Sequence, residues 1–268
     1  MSANYIQPVL ELAIEAGRRI MPFYRGHAAV TVKQDASPLT AADLAAHHFL
    51  VDSLPRVLPG VEVISEESLP EVHLSAVNLD RFWLVDPLDG TKEFIKATGE
   101  FTVNIALIEK GRPILGVVHA PAMDVTYYAS DAGNAFRVDA KSAPVRLSTR
   151  RANPTRLAVV ASTNHAGPMV KAMLDRLSNP VLRSMGSSLK FCLVAEGTAD
   201  LYLRDVPTME WDTAAAQCVV ESAGGSVCSL DGKPLRYGKA GLKNPSLMTA
   251  GDRDFPWQQF TCGDATGG

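Results

Sequence analysis

The stretch 81–95, read RFWLVDPLDGTKEFI, constrains the fold more than any other part of the chain. Its first part, Phe82 to Val85, is apolar and β-prone, and it predicts a buried strand. The dipeptides Asp86-Pro87 and Asp89-Gly90 follow, and both are typical of turns. Thr91 then begins a segment suited to the start of a helix. The stretch therefore predicts a strand–turn–helix corner that carries two carboxylates.

The two acids of this corner, Asp86 and Asp89, are spaced suitably for a divalent cation. Mg²⁺ takes oxygen ligands at about 2.0–2.1 Å and usually keeps water or phosphate among them. Gly90 lets the backbone approach a ligand closely, and a helix start offers N–H groups to an anion. The same residues also suit an ordinary turn that caps a helix. A metal site therefore requires further acids from other parts of the chain.

Composition excludes several classes of protein. The chain has 268 residues, of which 46% are hydrophobic and 21% charged, as expected of a globular protein. This length fits one large domain or two closely packed halves. The formal net charge of −3 implies no broad basic surface, so a nucleic-acid polymer is not expected as a partner.

The cysteines and the N-terminus indicate a cytoplasmic protein. No pair of cysteines has C-x-x-C spacing, so reduced thiols are expected. Glu11 and Glu15 interrupt the apolar N-terminal segment, which therefore does not resemble a signal peptide, and no apolar run suits a transmembrane helix. Peripheral association with the inner face of a membrane stays open, as does the choice between monomer and homodimer.

Hydrophobic periodicity divides the chain into an α+β half, 1–153, and an α/β half, 154–268. The first half is expected to contain an antiparallel sheet and most of the metal ligands, and the second to supply Asp212 and the residues of substrate specificity. The predicted helices cover about 5–24, 41–54, 91–95, 169–177, 187–195 and 212–223. The predicted strands cover about 29–32, 61–64, 82–85, 101–109, 114–119, 125–129, 136–138, 157–161, 181–183, 201–203, 226–229 and 247–250.

Three more acids lie where a predicted element begins or ends. Asp43 and Asp212 are at helix starts, and Glu66 follows a strand. Asp43 and Glu66, each taken alone, also suit a solvated surface position. If Glu66 and Asp212 meet the acids of the corner, the cluster would hold two divalent ions about 3.5–4 Å apart. Spacing alone leaves open whether these groups meet.

A resemblance to a known family adds what spacing does not provide. WLVDPLDGT at 83–91 resembles the first signature of the inositol monophosphatase superfamily, and WDTAA at 211–215 resembles the second. Glu66-Glu67-Ser68 also fits the family pattern, and the resemblance extends over nearly the whole chain. It implies the sugar-phosphatase fold, a layered sandwich of alternating α-β-α-β-α layers. Ala216 stands where the second signature has glycine, and we expect the helix packing to tolerate it.

The resemblance implies a set of metal ligands. Glu66, Asp86 and the carbonyl of Leu88 would hold one Mg²⁺, and Asp86, Asp89 and Asp212 would hold a second. It also allows a third, water-rich Mg²⁺ near Glu66.

The resemblance further implies catalytic roles. Glu66 and Thr91 would position the attacking water, and Asp43 would accept a hydrogen bond from Thr91. The backbone N–H groups of Gly90 and Thr91 would bind the phosphate. The substrate would therefore contact the same cluster that holds the metals: Glu66, Leu88, Asp89, Gly90, Thr91 and Asp212.

Three further segments, 33–43, 186–191 and 207–213, resemble the 3′(2′),5′-bisphosphate nucleotidases of the superfamily. Lys190 would pair with the second phosphate of such a substrate, although it equally suits a solvated helix position. Arg183 and Arg204 are further candidates for that role. Glu210 would contact a sugar hydroxyl, or serve only as an acid at a helix start.

The sequence thus predicts a phosphatase that hydrolyses the 3′-phosphate of adenosine 3′,5′-bisphosphate to give AMP. It would also act on 3′-phosphoadenylyl sulfate, serve sulfur assimilation and be inhibited by Li⁺, as the resemblance implies. An inositol-1-monophosphatase with the same chemistry and a different pocket is the alternative. A phosphate-binding regulator without activity is a second alternative, from another functional class.

Overall fold

The computed structural model describes residues 2–25, 30–32, 38–68, 80–131, 133–140, 142–160, 167–257 and 260. The helices are α1 (Ile6–Ile20), α2 (Ala41–Val57), α3 (Thr91–Ile95), α4 (Pro168–Arg176), α5 (Leu189–Ala195) and α6 (Ala214–Ser222). The strands are β1 (Val30–Val32), β2 (Pro38–Thr40), β3 (Glu62–Ser65), β4 (Arg81–Asp89), β5 (Thr102–Glu109), β6 (Arg112–Ala120), β7 (Val125–Ser130), β8 (Asn134–Asp139), β9 (Val145–Arg146), β10 (Ala158–Val160), β11 (Val181–Arg183), β12 (Leu201–Arg204), β13 (Ser226–Ser229) and β14 (Leu247–Ala250).

Two mixed sheets organise these elements. The larger sheet has the order β3-β4-β5-β6-β7-β8-β9, in which only β3 and β4 pair in parallel. The smaller sheet has the order β11-β10-β12-β14-β13, in which β10 is parallel to both of its neighbours. The predicted antiparallel meander is confirmed over β5 to β8.

The side-chain alternation of β4 shows how the layers are built. Trp83 and Val85 face a core shared with α1 and α2, whereas Phe82 and Leu84 face a second core. This second core also contains residues of α5, α6 and the smaller sheet, and a third core joins that sheet to α4. The order is therefore helices, sheet, helices, sheet, helix, which confirms the predicted α-β-α-β-α sandwich.

Strand β4 does not end where the sequence indicated. It continues through Pro87 to Asp89, and its register against β5 shifts between Asp86 and Asp89. Asp86 pairs with Asn104 and Asp89 with Thr102, so β4 bulges at the two residues between them. Proline lacks an N–H donor but is tolerated at a bulge, so the predicted turn at Asp86-Pro87 is a bulge inside the strand.

The predicted elements otherwise differ from the observed ones mainly at their ends. Helix α6 begins at Ala214, because a 3₁₀ turn over Glu210–Asp212 replaces the first residues of the predicted helix. Helix α2 runs three residues beyond the predicted end, to Val57. Residues 33–37 and the C-terminal residues 262–268 lie outside the described part of the chain.

A search of the helices in the described residues finds none that is both long and apolar enough to span a bilayer.

Candidate active site

The corner between β4 and α3 fixes the first acid of the site. Asp86 is buried, with 2% of its surface exposed, and its Oδ1 accepts the N–H of Leu88 at 3.0 Å. Gly90 follows with φ at 93°, a left-handed conformation that favours glycine. The bulge and this glycine turn the chain sharply, so that Thr91 begins α3 beside the carboxylates.

The predicted contact between Asp43 and Thr91 is present. Asp43 is buried in the first turn of α2, and its Oδ2 accepts the N–H and the hydroxyl of Thr40 at 2.7 and 2.5 Å. Its Oδ1 lies 3.4 Å from Thr91 Oγ1, which lies equally far from the carbonyl of Leu88. Asp43 is therefore a buried member of the site and not a surface acid.

Parallel pairing of β3 and β4 brings Glu66 to the same edge of the sheet. Ser65 pairs with Val85, and the residues that follow this pair on the two strands are Glu66 and Asp86. Glu66 begins a 3₁₀ turn over Glu66–Ser68, which packs against β4. Its negative charge raises the pKa values of Asp86, Asp89 and Asp212, so its electrostatic field reaches all three acids.

Asp212 approaches the cluster from the second half of the chain. It ends the 3₁₀ turn before α6, and its Oδ2 accepts the N–H of Met209 at 2.8 Å. Burial, and then the charge of Asp89, raise the pKa of Asp212 well above its ordinary value. Asp89 and Asp212, which are 123 positions apart in the chain, thus share one electrostatic environment.

The electrostatics of this cluster suit a cation. Burial is the largest cause that raises the pKa of Asp86, followed by the charges of Glu66 and Asp89. In the described part of the chain, no three His, Cys, Asp or Glu side chains already form a compact cage. Charged carboxylates repel one another, and Mg²⁺ needs only a few protein oxygens beside water and phosphate. The donor set, which consists of oxygens only, therefore fits Mg²⁺.

Two residues that the sequence analysis did not select hold Asp89. Its Oδ2 accepts the N–H of Ser188 at 2.6 Å and Nδ2 of Asn104 at 3.4 Å. Ser188 Oγ in turn donates to Asn104 Oδ1 at 2.8 Å and lies 2.8 Å from Thr102 Oγ1. Asn104 is a buried polar residue within the apolar strand TVNIALIE, and that exception to the pattern was the available signal.

A cleft of about 270 Å³ opens between the corner and α5. The acids on its wall are Asp89, Glu93 and Asp212. Its cationic and aromatic lining residues are Lys92, Lys190, Arg204, Phe191 and Tyr202.

Lys190 is a buried cation on the wall of this cleft. It is 7% exposed, and its Nζ donates to the carbonyl of Ser187 at 2.9 Å. Burial lowers its pKa, whereas the charge of Asp89 raises it. It is therefore not a solvated surface lysine.

The two arginine candidates are separated by their positions. Arg204 lines the cleft, whereas Arg183 is exposed at the end of strand β11 and is not among the lining residues. Arg204 is therefore the better placed of the two.

Glu210 is not brought to the cleft. It is fully buried, and its carboxylate accepts the N–H groups of Gly238 and Lys239 at 2.7 and 3.0 Å. Lys239 Nζ also forms an ion pair with it at 2.6 Å. These contacts account for Glu210 as an anchor of the 238–239 turn, and Glu210 is not among the residues that line the cleft.

Ala216, which replaces the signature glycine, is buried in α6 within the central core. The expected tolerance of helix packing at this position agrees with the intact helix.

Comparisons with known proteins find relatives over most of the chain. Residues 3–255 match the inositol monophosphatase family. The 3′(2′),5′-bisphosphate nucleotidase CysQ of Escherichia coli strain K12 is 49% identical over 234 residues, which are 87% of this chain and 93% of that protein. The CysQ of Aggregatibacter actinomycetemcomitans is 35% identical over 264 residues, 97% of each chain.

Solved structures show the same fold. The crystal structure of CysQ from Bacteroides thetaiotaomicron has a TM-score of 0.80 at 35% identity and covers 94% of this chain and 98% of its own. An IMPase from Thermotoga maritima has a TM-score of 0.77 at 24% identity and covers 96% of both chains. At that level of identity, the second similarity concerns the fold alone.

Proposed function

The chain belongs to the inositol monophosphatase family, and on that premise we propose that it is a Mg²⁺-dependent 3′(2′),5′-bisphosphate nucleotidase. It would hydrolyse the 3′-phosphate of adenosine 3′,5′-bisphosphate to give AMP and phosphate, and would also act on 3′-phosphoadenylyl sulfate. The observation that carries the proposal is a single cleft that combines acids suited to a metal with a buried lysine. The named activity of the CysQ relatives supports it.

The proposed metal ligands follow from the acids of the cluster. Glu66, Asp86 and the carbonyl of Leu88 would hold one Mg²⁺, and Asp86, Asp89 and Asp212 a second. The raised pKa values of Asp86 and Asp212 support this set, because a cation would offset both causes of the shift, the burial of the carboxylates and the repulsion between them. When bound, Mg²⁺ would supply Lewis-acid polarisation of the phosphoryl group and neutralise its charge. The family also allows a third Mg²⁺ near Glu66.

The chain's own residues would orient the attacking water. The Thr91 hydroxyl has one proton, which it shares between Asp43 Oδ1 and the carbonyl of Leu88. Its lone pairs then remain to accept a hydrogen bond from water. A carboxylate oxygen accepts, so Thr91 is the donor in this contact, and the two hydrogen bonds from Thr40 hold Asp43 in place. Glu66 would accept the proton that the water loses.

The phosphoryl transfer itself requires an in-line arrangement. The water oxygen would form a bond to phosphorus while the bond from phosphorus to the ribose 3′-oxygen breaks. The departing oxygen takes a proton from solvent, which gives AMP and inorganic phosphate. The backbone N–H groups of Gly90 and Thr91 would bind the transferred phosphate, and Gly90 leaves space for that approach.

Recognition of the second phosphate would depend on Lys190. Its Nζ is buried in the wall of the same cleft, where low exposure strengthens a charge-assisted hydrogen bond. Arg204 lines the same wall and would add a second cation. Inositol 1-phosphate has no second phosphate, so this wall favours the bisphosphorylated nucleotide.

A comparison of substrates tests the proposal. We expect kcat/KM for adenosine 3′,5′-bisphosphate to exceed that for inositol 1-phosphate by at least about tenfold, or about 1.4 kcal/mol in transition-state binding. The reverse preference would identify an inositol monophosphatase. Turnover should require Mg²⁺ and stop in EDTA. Nucleotide binding without turnover in either condition would identify a regulator instead.

We also propose a cytoplasmic location. The described cysteines, Cys192, Cys218 and Cys228, are free and buried. Burial raises the pKa of each of these thiols, which disfavours the reactive thiolate. Unpaired thiols of this kind are usual in a reducing compartment.

A further inference from the structure

A second concave region lies at the C-terminal end of α6 and shares no lining residue with the catalytic cleft. Its volume is about 390 Å³. We call it the arginine pocket, because its wall contains Arg112, Arg236 and Arg253 together with Gln217, Glu221 and Ser226. The proposed function assigns no role to any of these residues.

Backbone contacts fix the arginines around this pocket. The N–H of Tyr237 donates to the carbonyl of Gly111 at 3.1 Å. Arg236 precedes Tyr237 and Arg112 follows Gly111, so this hydrogen bond brings both arginines to the same pocket. Arg253 is held separately, because its Nε and Nη2 donate to the carbonyls of Gly224 and Gly225 at 2.9 and 3.1 Å.

The floor of the arginine pocket is also fixed in advance. Gln217 is 2% exposed, and its Nε2 donates to Glu221 Oε1 at 2.8 Å. Its Oε1 accepts the hydroxyl of Tyr237 at 2.6 Å. The side chains that line the floor are therefore ordered by buried hydrogen bonds before any ligand binds.

The charges of the arginine pocket do not balance. Glu221 is the single acid among the lining residues, and it faces three arginines. Burial raises the pKa of Glu221, while Arg112, Arg253 and Arg236 each lower it, so all three cations lie near this carboxylate. Among the described residues, neither Arg112 nor Arg236 forms an ion pair with an acid. Two positive charges therefore remain unbalanced.

We propose that the arginine pocket binds an oxyanion of the phosphate class, either free or as part of a small molecule. Guanidinium groups match the geometry of phosphate with paired N–H donors, and an anion would relieve the repulsion among the three cations. A site of this kind goes beyond the proposed hydrolysis, because it uses no residue of the catalytic cleft.

Calorimetric titration with inorganic phosphate tests this site. EDTA is included at constant ionic strength, so that no metal ion recruits phosphate to the catalytic cleft. We expect saturable binding to one site in the full-length protein. The double variant Arg112→Gln/Arg236→Gln should bind at least tenfold more weakly. Both side chains are exposed, so the variant should keep its fold, which its melting temperature would verify.

Two control variants make the result specific. Arg156→Gln removes an exposed positive charge outside both cavities and should leave the affinity unchanged. Lys190→Gln, in the catalytic cleft, should also leave it unchanged. No saturable binding by the wild-type protein, equal affinity in the double variant, or loss of binding in Lys190→Gln would overturn the assignment.

Discussion

The backbone N–H of Ser188 donates a 2.6 Å hydrogen bond to Oδ2 of Asp89. Ser188 belongs to the second half of the chain, and Asp89 ends β4 in the first. This contact joins the halves at a proposed metal ligand. The rotation of the Asp89 carboxylate is therefore set by α5, whose Lys190 lines the same cleft.

The side chain of Asn104 supports this contact, and its loss should weaken metal binding. We expect Asn104→Ala to raise the Mg²⁺ concentration for half-maximal turnover by about 10–100-fold, because residues that orient a ligand typically have effects of this size. Activity measured against Mg²⁺ concentration provides the test. Thr126→Val removes another buried hydrogen bond, to His119, and is the control. An equal Mg²⁺ shift in the control would indicate general destabilisation.

The burial of the Asp86 carboxylate, together with repulsion from neighbouring acids, should lower the stability of the metal-free protein. The pKa of Asp86 is raised in the folded state. Its ionisation therefore lowers the free energy of unfolding once the pH exceeds the pKa that Asp86 has in the unfolded chain. At pH 7 in EDTA, we expect Asp86→Asn to unfold at a higher temperature than the wild type.

The same substitution should remove the response to metal. Mg²⁺ at about 100 times its dissociation constant should stabilise the wild type by about 2.7 kcal/mol, and Asp86→Asn much less. Turnover should also fall by orders of magnitude. The exposed Asp52→Asn is the matched control and should behave as the wild type. An Asp86→Asn protein that keeps its full response to Mg²⁺ would exclude Asp86 as a ligand.

Lys190 should determine substrate preference and not the chemistry. We expect Lys190→Gln to lower kcat/KM for adenosine 3′,5′-bisphosphate by about 10–100-fold, since a charge-assisted hydrogen bond contributes about 1.5–3 kcal/mol. Hydrolysis of 3′-AMP, which lacks the second phosphate, should change much less. Arg183→Gln removes an exposed charge outside the cleft and is the control. Equal losses for both substrates would contradict the assignment.

His119 should make the protein less stable in acid. It is 4% exposed, and burial is the main cause that lowers its pKa from 6.5 to about 4. The charge of Asp124 opposes this shift, and the charge of Arg18 adds to it. The unfolded chain therefore binds a proton that the folded chain does not. Its contribution to stability is complete above pH 6.5 and falls by up to about 3 kcal/mol as the pH approaches 4.

Variants isolate this contribution from that of the acids. The free energy of unfolding should fall less between pH 7 and pH 5 in His119→Gln than in the wild type, as denaturant titration would show. Replacement of the exposed His48 by Gln should leave the pH dependence unchanged. If His119→Gln keeps the wild-type slope, another group causes the acid sensitivity.

The sequence by itself determined where most helices and strands lie and that successive side chains of β4 point to opposite faces. The alternation of Phe82 and Leu84 with Trp83 and Val85 depends only on the two-residue period of a strand. The signatures also indicated the acids, because a short motif carries its local turn with it. Local preferences of this kind need no knowledge of the partner strand.

Only the tertiary structure decided where the long-range partners lie. Pro87 lies in a bulge and does not end the strand, because β5 pairs on both sides of it. Ser188 reaches Asp89 across 99 positions, and Glu210 anchors the 238–239 turn. Such contacts depend on strand register and on the packing of α5 and α6 between the sheets, which no local pattern encodes.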